Sequence, residues 1–146
     1  MIPPLACTPI YKEKVWGGQA LRLRLDKDIE PGQRVGESWE LSGYGEDISI
    51  VEDGPRAGTP LNTLVAESPH AILGEAGRSA DVFPLLYKFI DAHDRLSVQV
   101  HPSDEQARTH GWGARGKTEC WYVVHAEPDT RIVVGLKPGT TASDLQ

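Results

Sequence analysis

Cysteine is scarce: Cys7 and Cys120 are the whole complement in 146 residues. Two thiols make no disulfide framework, and free thiols in a reducing cytoplasm are the expectation. No run approaches the roughly 18 apolar residues of a membrane span. Met1-Ile2-Pro3-Pro4-Leu5 has neither a basic start nor a long apolar stretch, which argues against a secretory signal. Positive charge is also short. Fifteen Lys and Arg stand against 21 Asp and Glu, for a formal net charge of -6, and the cations are scattered. Nucleic-acid binding therefore lacks its basic stripe. A small anion remains compatible, because one or two placed cations hold a single phosphate. There is no internal repeat and no low-complexity segment.

The length suits one domain, since domains run from about 50 to 250 residues, and the chain can bury a core without staples. Fifteen glycines and eleven prolines cut it into short pieces, which favours strands and turns over long helices. Residues 34–52 read as extended structure turning at Gly43-Tyr44-Gly45, with Ile48 and Ile50 alternating with polar neighbours. Residues 59–67 read as a short helix with Thr59 as N-cap and Pro60 in the first turn. Residues 83–90 form an apolar run interrupted by Lys88. Residues 96–101, 119–126 and 130–136 all read as strands. Ser143-Asp144 resembles a helix start with no helix behind it, which suggests a piece of a longer chain.

Chemistry concentrates in two of these segments. In Leu96-Ser97-Val98-Gln99-Val100-His101-Pro102, a strand puts Leu96, Val98 and Val100 on one face, toward a core. Ser97, Gln99 and His101 fall on the other, as a polar pocket wall. In Gly116-Lys117-Thr118-Glu119-Cys120-Trp121, Lys117, Glu119 and Trp121 share a face. A neutral imidazole and a carboxylate are good zinc ligands, and Gln99 adds an amide oxygen. Three protein ligands match a catalytic zinc site with open positions. Lys117 is placed to hold a phosphate or stabilise negative charge. For either strand alone, an ordinary solvent-facing surface explains the residues as well. His70, His93, His110 and His125 read as surface histidines. Residues 111–116 are glycine-rich but lack the strand-to-helix setting of a phosphate loop. Trp39, between Glu37 and Glu40, reads equally as a pocket rim or as a core residue. Trp16, before Gly17-Gly18, is either a sugar-site border or packing.

These segments, in this order, resemble the type I phosphomannose isomerases, the cupin-fold mannose-6-phosphate isomerases, closest to their short bacterial branch. The likeness rests on residues 11–18, 36–42, 83–92, 96–102 and 116–122, and extends from about residue 8 to residue 136. It implies a mainly β, cupin-like jelly roll with one or two short helices, residues 1–146 being one catalytic domain. It implies one zinc ion per chain held by Gln99, His101 and Glu119, with Ser97, Lys117, Lys88 and Trp16 toward the sugar phosphate. Lys117 is then catalytic as well as substrate-binding. The family's later metal histidine and a downstream arginine have no counterpart in these 146 residues. The implied activity is the cytoplasmic interconversion of mannose 6-phosphate and fructose 6-phosphate through an enediol. The competing readings are a non-catalytic cupin module that binds sugar phosphate and, more distantly, a cupin oxygenase with iron.

Overall fold

The strand at the centre of the sheet is the element on which the others are hung. In the computed structural model, which describes residues 4–78, 80–113 and 115–145, this strand is β2, Val35–Tyr44. It pairs antiparallel with β1 (Ile10–Gly18) on one edge and with β4 (Leu86–Ile90) on the other. Its end turns through Gly45 into β3 (Asp47–Ile48). Gly45 has φ +59°, the left-handed region that a two-residue hairpin turn requires of its first central residue. The chain forms two compact units, Met1–Leu96 and Ser97–Gln146. Among the described residues, the four strands all lie in the first.

A bulge decides which side chains face the core. Lys12 opposes Glu37, and the next residue, Glu13, opposes Val35, so Gly36 is the extra residue on β2. One extra residue reverses the facing of everything beyond it. Val35 thereby joins Leu21 and Ile29 in the core, packed by Tyr11, Leu25 and Phe89. Tyr11 and Phe89 both oppose Ser38, on the side away from Glu37 and Trp39. The bulge residue has to be glycine. A Cβ there would lie 2.6 Å from Trp16 Cζ3 and 2.7 Å from Lys14 Cβ.

Among the described residues there are four short α-helices, where the sequence suggests one or two: α1 (Ala20–Leu25), α2 (Leu61–Glu67), α3 (Pro69–Leu73) and α4 (Asp104–Thr109). Among the described residues no helix is long and apolar enough to cross a membrane. Helix α2 begins at Leu61, with Pro60 at its cap position, so Thr59 is not the N-cap. The reason is a competing pairing. Thr59 O accepts from Val51 N at 3.0 Å and Pro60 bridges Ile50, which holds both residues extended. Within residues 48–51 the buried members are Ser49 and Val51, whereas Ile50 is exposed. Ser49 Oγ accepts from Ser42 N at 2.8 Å, which satisfies a polar group with no exposure.

The second unit departs from the sequence reading. Residues 96–101, 119–126 and 130–136 form no strand among the described residues. Val98 and Val100, expected in a core, are 66% and 75% exposed. Alternation gives a segment two distinct faces, but a strand also needs a neighbouring edge to bond. The helix start expected at Ser143-Asp144 is a short 3-10 turn over Ala142–Leu145, with Asp144 Oδ2 accepting from Thr141 N at 2.7 Å. Met1, Ile2, Pro3, Ser79, Ala114 and Gln146 lie outside the described residues. They include the start of the N-terminal segment and one residue of the glycine-rich loop.

Leu21, 3% exposed, anchors α1 to the sheet. Leu21→Ala is expected to destabilise the first unit by about 2–5 kcal/mol, the range for a buried leucine that leaves a cavity. Urea denaturation followed by Trp fluorescence measures it, and a loss below about 1 kcal/mol would mean that the site collapses or is not core.

Candidate metal and sugar-phosphate site

A helix cap closes the loop that brings the two motifs of the second unit together. Ser103 caps α4: its Oγ accepts from Gln106 N at 3.2 Å, and Gln106 Oε1 accepts from Ser103 N at 2.9 Å. This reciprocal pair is a capping box. It fixes Asp104, whose Oδ1 accepts from Gly116 N at 2.7 Å. Pro102 O accepts from Lys117 N at 3.1 Å. Residues 116–117 are thus tied beside 102–104, although 12 positions separate Asp104 from Gly116. Gly116 permits the approach, since a Cβ there would stand 2.2 Å from Pro102 O.

The consequence is a contact between His101 and Glu119. His101 Nε2 lies 3.0 Å from Glu119 Oε2, and Lys117 Nζ lies 3.0 Å from Glu119 Oε1. Each carboxylate oxygen has its own partner. Partial burial pushes the Glu119 carboxyl up, but the Lys117 ammonium and the His101 ring outweigh it, so the group stays ionised below the usual carboxylate range. Gln99 Nε2 donates to Ser97 Oγ at 2.8 Å, which keeps these two side chains together.

Zinc bonds to imidazole nitrogen and carboxylate oxygen are about 2.0–2.2 Å, so two donors of one tetrahedral ion stand roughly 3.3 Å apart. The 3.0 Å separation of His101 and Glu119 fits that demand with a small opening. Among the described residues no group of three His, Cys, Asp or Glu side chains is arranged to hold a metal.

Lys88 and Trp16 belong to the first unit. Lys88 Nζ sits 2.9 Å from Glu37 Oε1, and Trp39 Nε1 donates to Glu37 Oε2 at 2.7 Å. Lys12 opposes Glu37 across the sheet and places its ammonium 4.9 Å from the centre of the Trp39 ring. The sequence left Trp39 open between rim and core; it is half-buried and belongs to this polar face. Glu40 points to the other side, where Ser38 Oγ and Lys27 Nζ bond it. Trp16 packs over Gly36, and its carbonyl accepts from His93 N and Asp94 N at 3.1 and 3.2 Å. The Glu37 cluster is the feature the sequence reading missed. Its signal was present: a glutamate, an aromatic and a lysine at strand positions that pairing brings to one face.

The remaining histidines sit as surface groups. His70 is 3.1 Å from Glu75, and His110 stacks on Trp112 at 4.6 Å. His125 lies 2.9 Å from Glu127, two residues along an exposed segment.

Similarity to known proteins follows the same residues. Residues 4–115 match the phosphomannose isomerase type I catalytic domain. The chain belongs to that family. It is 41% identical over 140 residues to a probable mannose-6-phosphate isomerase, GmuF, of Bacillus subtilis, covering 96% of this chain and 43% of the relative. It is 43% identical over 135 residues to the mannose-6-phosphate isomerase of Streptococcus mutans, covering 92% and 41%. The crystal structure of the mannose 6-phosphate isomerase from Bacillus subtilis superposes with a TM-score of 0.75 at 40% identity, over 85% of this chain and 38% of that one. The fold is therefore the mainly β, cupin-like one of these phosphomannose isomerases. The chain spans about two-fifths of the length of the relatives it matches.

Two outcomes follow from the contacts. Ser103→Ala is expected to weaken the second unit by about 1 kcal/mol, the usual cost of a lost N-cap. Amide exchange at Gly116 and Lys117 should accelerate with it, and unchanged exchange there would show that the cap does not hold the loop. Glu37 supplies a pH signature. Burial raises its carboxyl, but the Trp39 hydrogen bond and the Lys88 ammonium lower it further, for a net shift below the ordinary range. A lowered folded pKa gives stability that is present above the unfolded carboxylate pKa and is lost as pH falls through the folded value. The stability gap between wild type and Glu37→Gln should be widest near neutral pH and close on acidification. Urea midpoints from pH 7 to 3 measure it, and a constant gap would contradict the ion pair.

Proposed function

We propose that this chain serves a zinc-dependent aldose–ketose isomerisation, interconverting mannose 6-phosphate and fructose 6-phosphate. The observation that carries the reading is the 3.0 Å approach of His101 to Glu119 beside Lys117 in a member of the phosphomannose isomerase family. The activity for which the relatives are named, mannose-6-phosphate isomerase, supplies the substrate class. His101, Glu119 and Gln99 would hold one zinc ion, which when bound supplies a Lewis acid for an oxygen of the substrate.

The chain's own residues do the rest. In the reaction a proton leaves C2 of the open-chain aldose and is returned to C1, with an enediol between. The Lys117 ammonium, held against Glu119, offers positive charge where negative charge develops on the sugar oxygens, and such preorganised charge needs no rearrangement during reaction. Ser97 and Lys117 are assigned to the phosphate, and Lys88 and Trp16 keep the substrate-binding assignment that the family resemblance implies. Fixing the phosphate orients the carbonyl end, which is how positioning contributes to rate. The reading places the reaction in the cytoplasm.

Zinc titration by calorimetry on the chelator-stripped chain tests the metal assignment. His101→Ala should abolish measurable zinc affinity, whereas His125→Ala should leave it unchanged. Equal affinity in both variants would remove His101 from the site. Turnover should be compared in a coupled mannose 6-phosphate assay for the 146-residue chain and the Bacillus subtilis relative. The shorter chain should be slower by about 10²–10³-fold or more, the effect of losing one electrostatic contact to the reacting oxygens. Comparable rates would show that the ligands here suffice.

A further inference from the structure

We propose that Glu37 is a positioning residue that fixes the Lys88 ammonium as a contact for the phosphate of the sugar. The inference rests on the assignment of Lys88 to sugar-phosphate binding and adds to it the group that sets the ammonium in place. Three observations carry it. The first is placement. Glu37 and Trp39 alternate along the central strand, and Trp39 opposes Lys88 on β4, so pairing puts all three side chains on one face.

The second is the use of both carboxylate oxygens. Oε1 meets Lys88 Nζ at 2.9 Å and Oε2 accepts from Trp39 Nε1 at 2.7 Å. A carboxylate held at both ends cannot rotate away, and it is held ionised by the same contacts.

The third is the state of the lysine. A lysine side chain is a flexible four-carbon stem, and ordering it costs much of what a contact gains. Here the stem is already ordered, with the Lys88 side chain 18% exposed and that of Glu37 12% exposed. An ammonium has three N–H bonds, and Glu37 takes one. The others can meet oxygens of an anion. Lys14 nearby adds positive charge around the carboxylate, so one glutamate does not cancel the field.

The test is a double-mutant cycle in binding, which requires no turnover. Calorimetry gives the affinity of the 146-residue chain for mannose 6-phosphate, with neutral mannose as the control. Lys88→Ala and Glu37→Gln should each weaken mannose 6-phosphate by about tenfold, the size of one charged hydrogen bond, and should leave mannose unchanged. The double variant should be no weaker than Lys88→Ala alone, because Glu37 acts through Lys88. Glu37→Asp should regain part of the affinity. Glu37→Gln binding like wild type, or losses that add in the double variant, would overturn the proposal. Lys88→Ala binding like wild type would overturn it too, by removing the lysine from the phosphate. A wild-type chain that binds no mannose 6-phosphate would instead sink the functional reading and the inference with it. Should Glu37→Gln fail to fold, Trp39→Phe replaces it. That variant frees one carboxylate oxygen and should give a smaller, few-fold loss that again vanishes on the Lys88→Ala background. A loss that persists there would overturn the proposal.

Discussion

The two-against-one bulge at Gly36 is the constraint from which the first unit follows. Without it, Val35 would share a face with Glu37 and Trp39, and either the carboxylate would enter the core or the valine would leave it. With it, one strand supplies an apolar contact to Leu21 and Ile29 and, two residues on, a carboxylate with one ionic and one indole partner. The close packing of Lys14 and Trp16 on Gly36 is what forbids a side chain at that position. A single glycine thus separates stability from chemistry on neighbouring turns of the pleat.

What the sequence made legible, and what it hid, divide along a physical line. The extended segment 34–52 and its turn were readable because a glycine-bearing turn between alternating runs is a local signal. The closeness of His101 and Glu119 was readable only through the family likeness, since 18 positions separate them. Once Ser103 and Asp104 are seen to tie down Gly116, the approach is explained by ordinary capping chemistry. Thr59 misled because its backbone is claimed by Val51, a partner eight residues away that no local rule anticipates. Residues 96–101, 119–126 and 130–136 misled in the opposite sense. Their alternation is genuine, but a facing pattern states which side chains go together and not whether an edge is present to pair with. Tyr122 and Val134, at 89% and 83% exposure, show how much apolar surface these segments carry without such an edge.

The Glu37 cluster was hidden for a related reason. Glutamate beside tryptophan in a strand has no helical or turn signature, and Lys88 lies 51 residues away. Only the register of β2 against β4 joins them. Buried charge is costly unless it is paired and hydrogen-bonded, so a carboxylate with 9% exposure in a central strand already implies partners. The face on which those partners sit could be read only after the bulge was placed.

Glu37 and Glu119 solve the same electrostatic problem in different ways. Each gives one oxygen to a lysine ammonium, Lys88 or Lys117, and the other to a ring nitrogen, Trp39 or His101. The difference lies in the ring. An indole N–H can only donate, so the Trp39 contact closes off its oxygen and makes Glu37 a fixed support. An imidazole nitrogen can donate, accept or bind a metal, so the His101 contact can be exchanged for a shared cation without moving either residue far. The lysine has a separate effect in each pair. On Glu37 the carboxylate orders the lysine. On Glu119 the lysine keeps the carboxylate ionised, which is the form a metal requires. Two carboxylates with nearly the same partners are thus suited to opposite tasks, one to holding a lysine still and the other to a contact that the proposed zinc ion would replace.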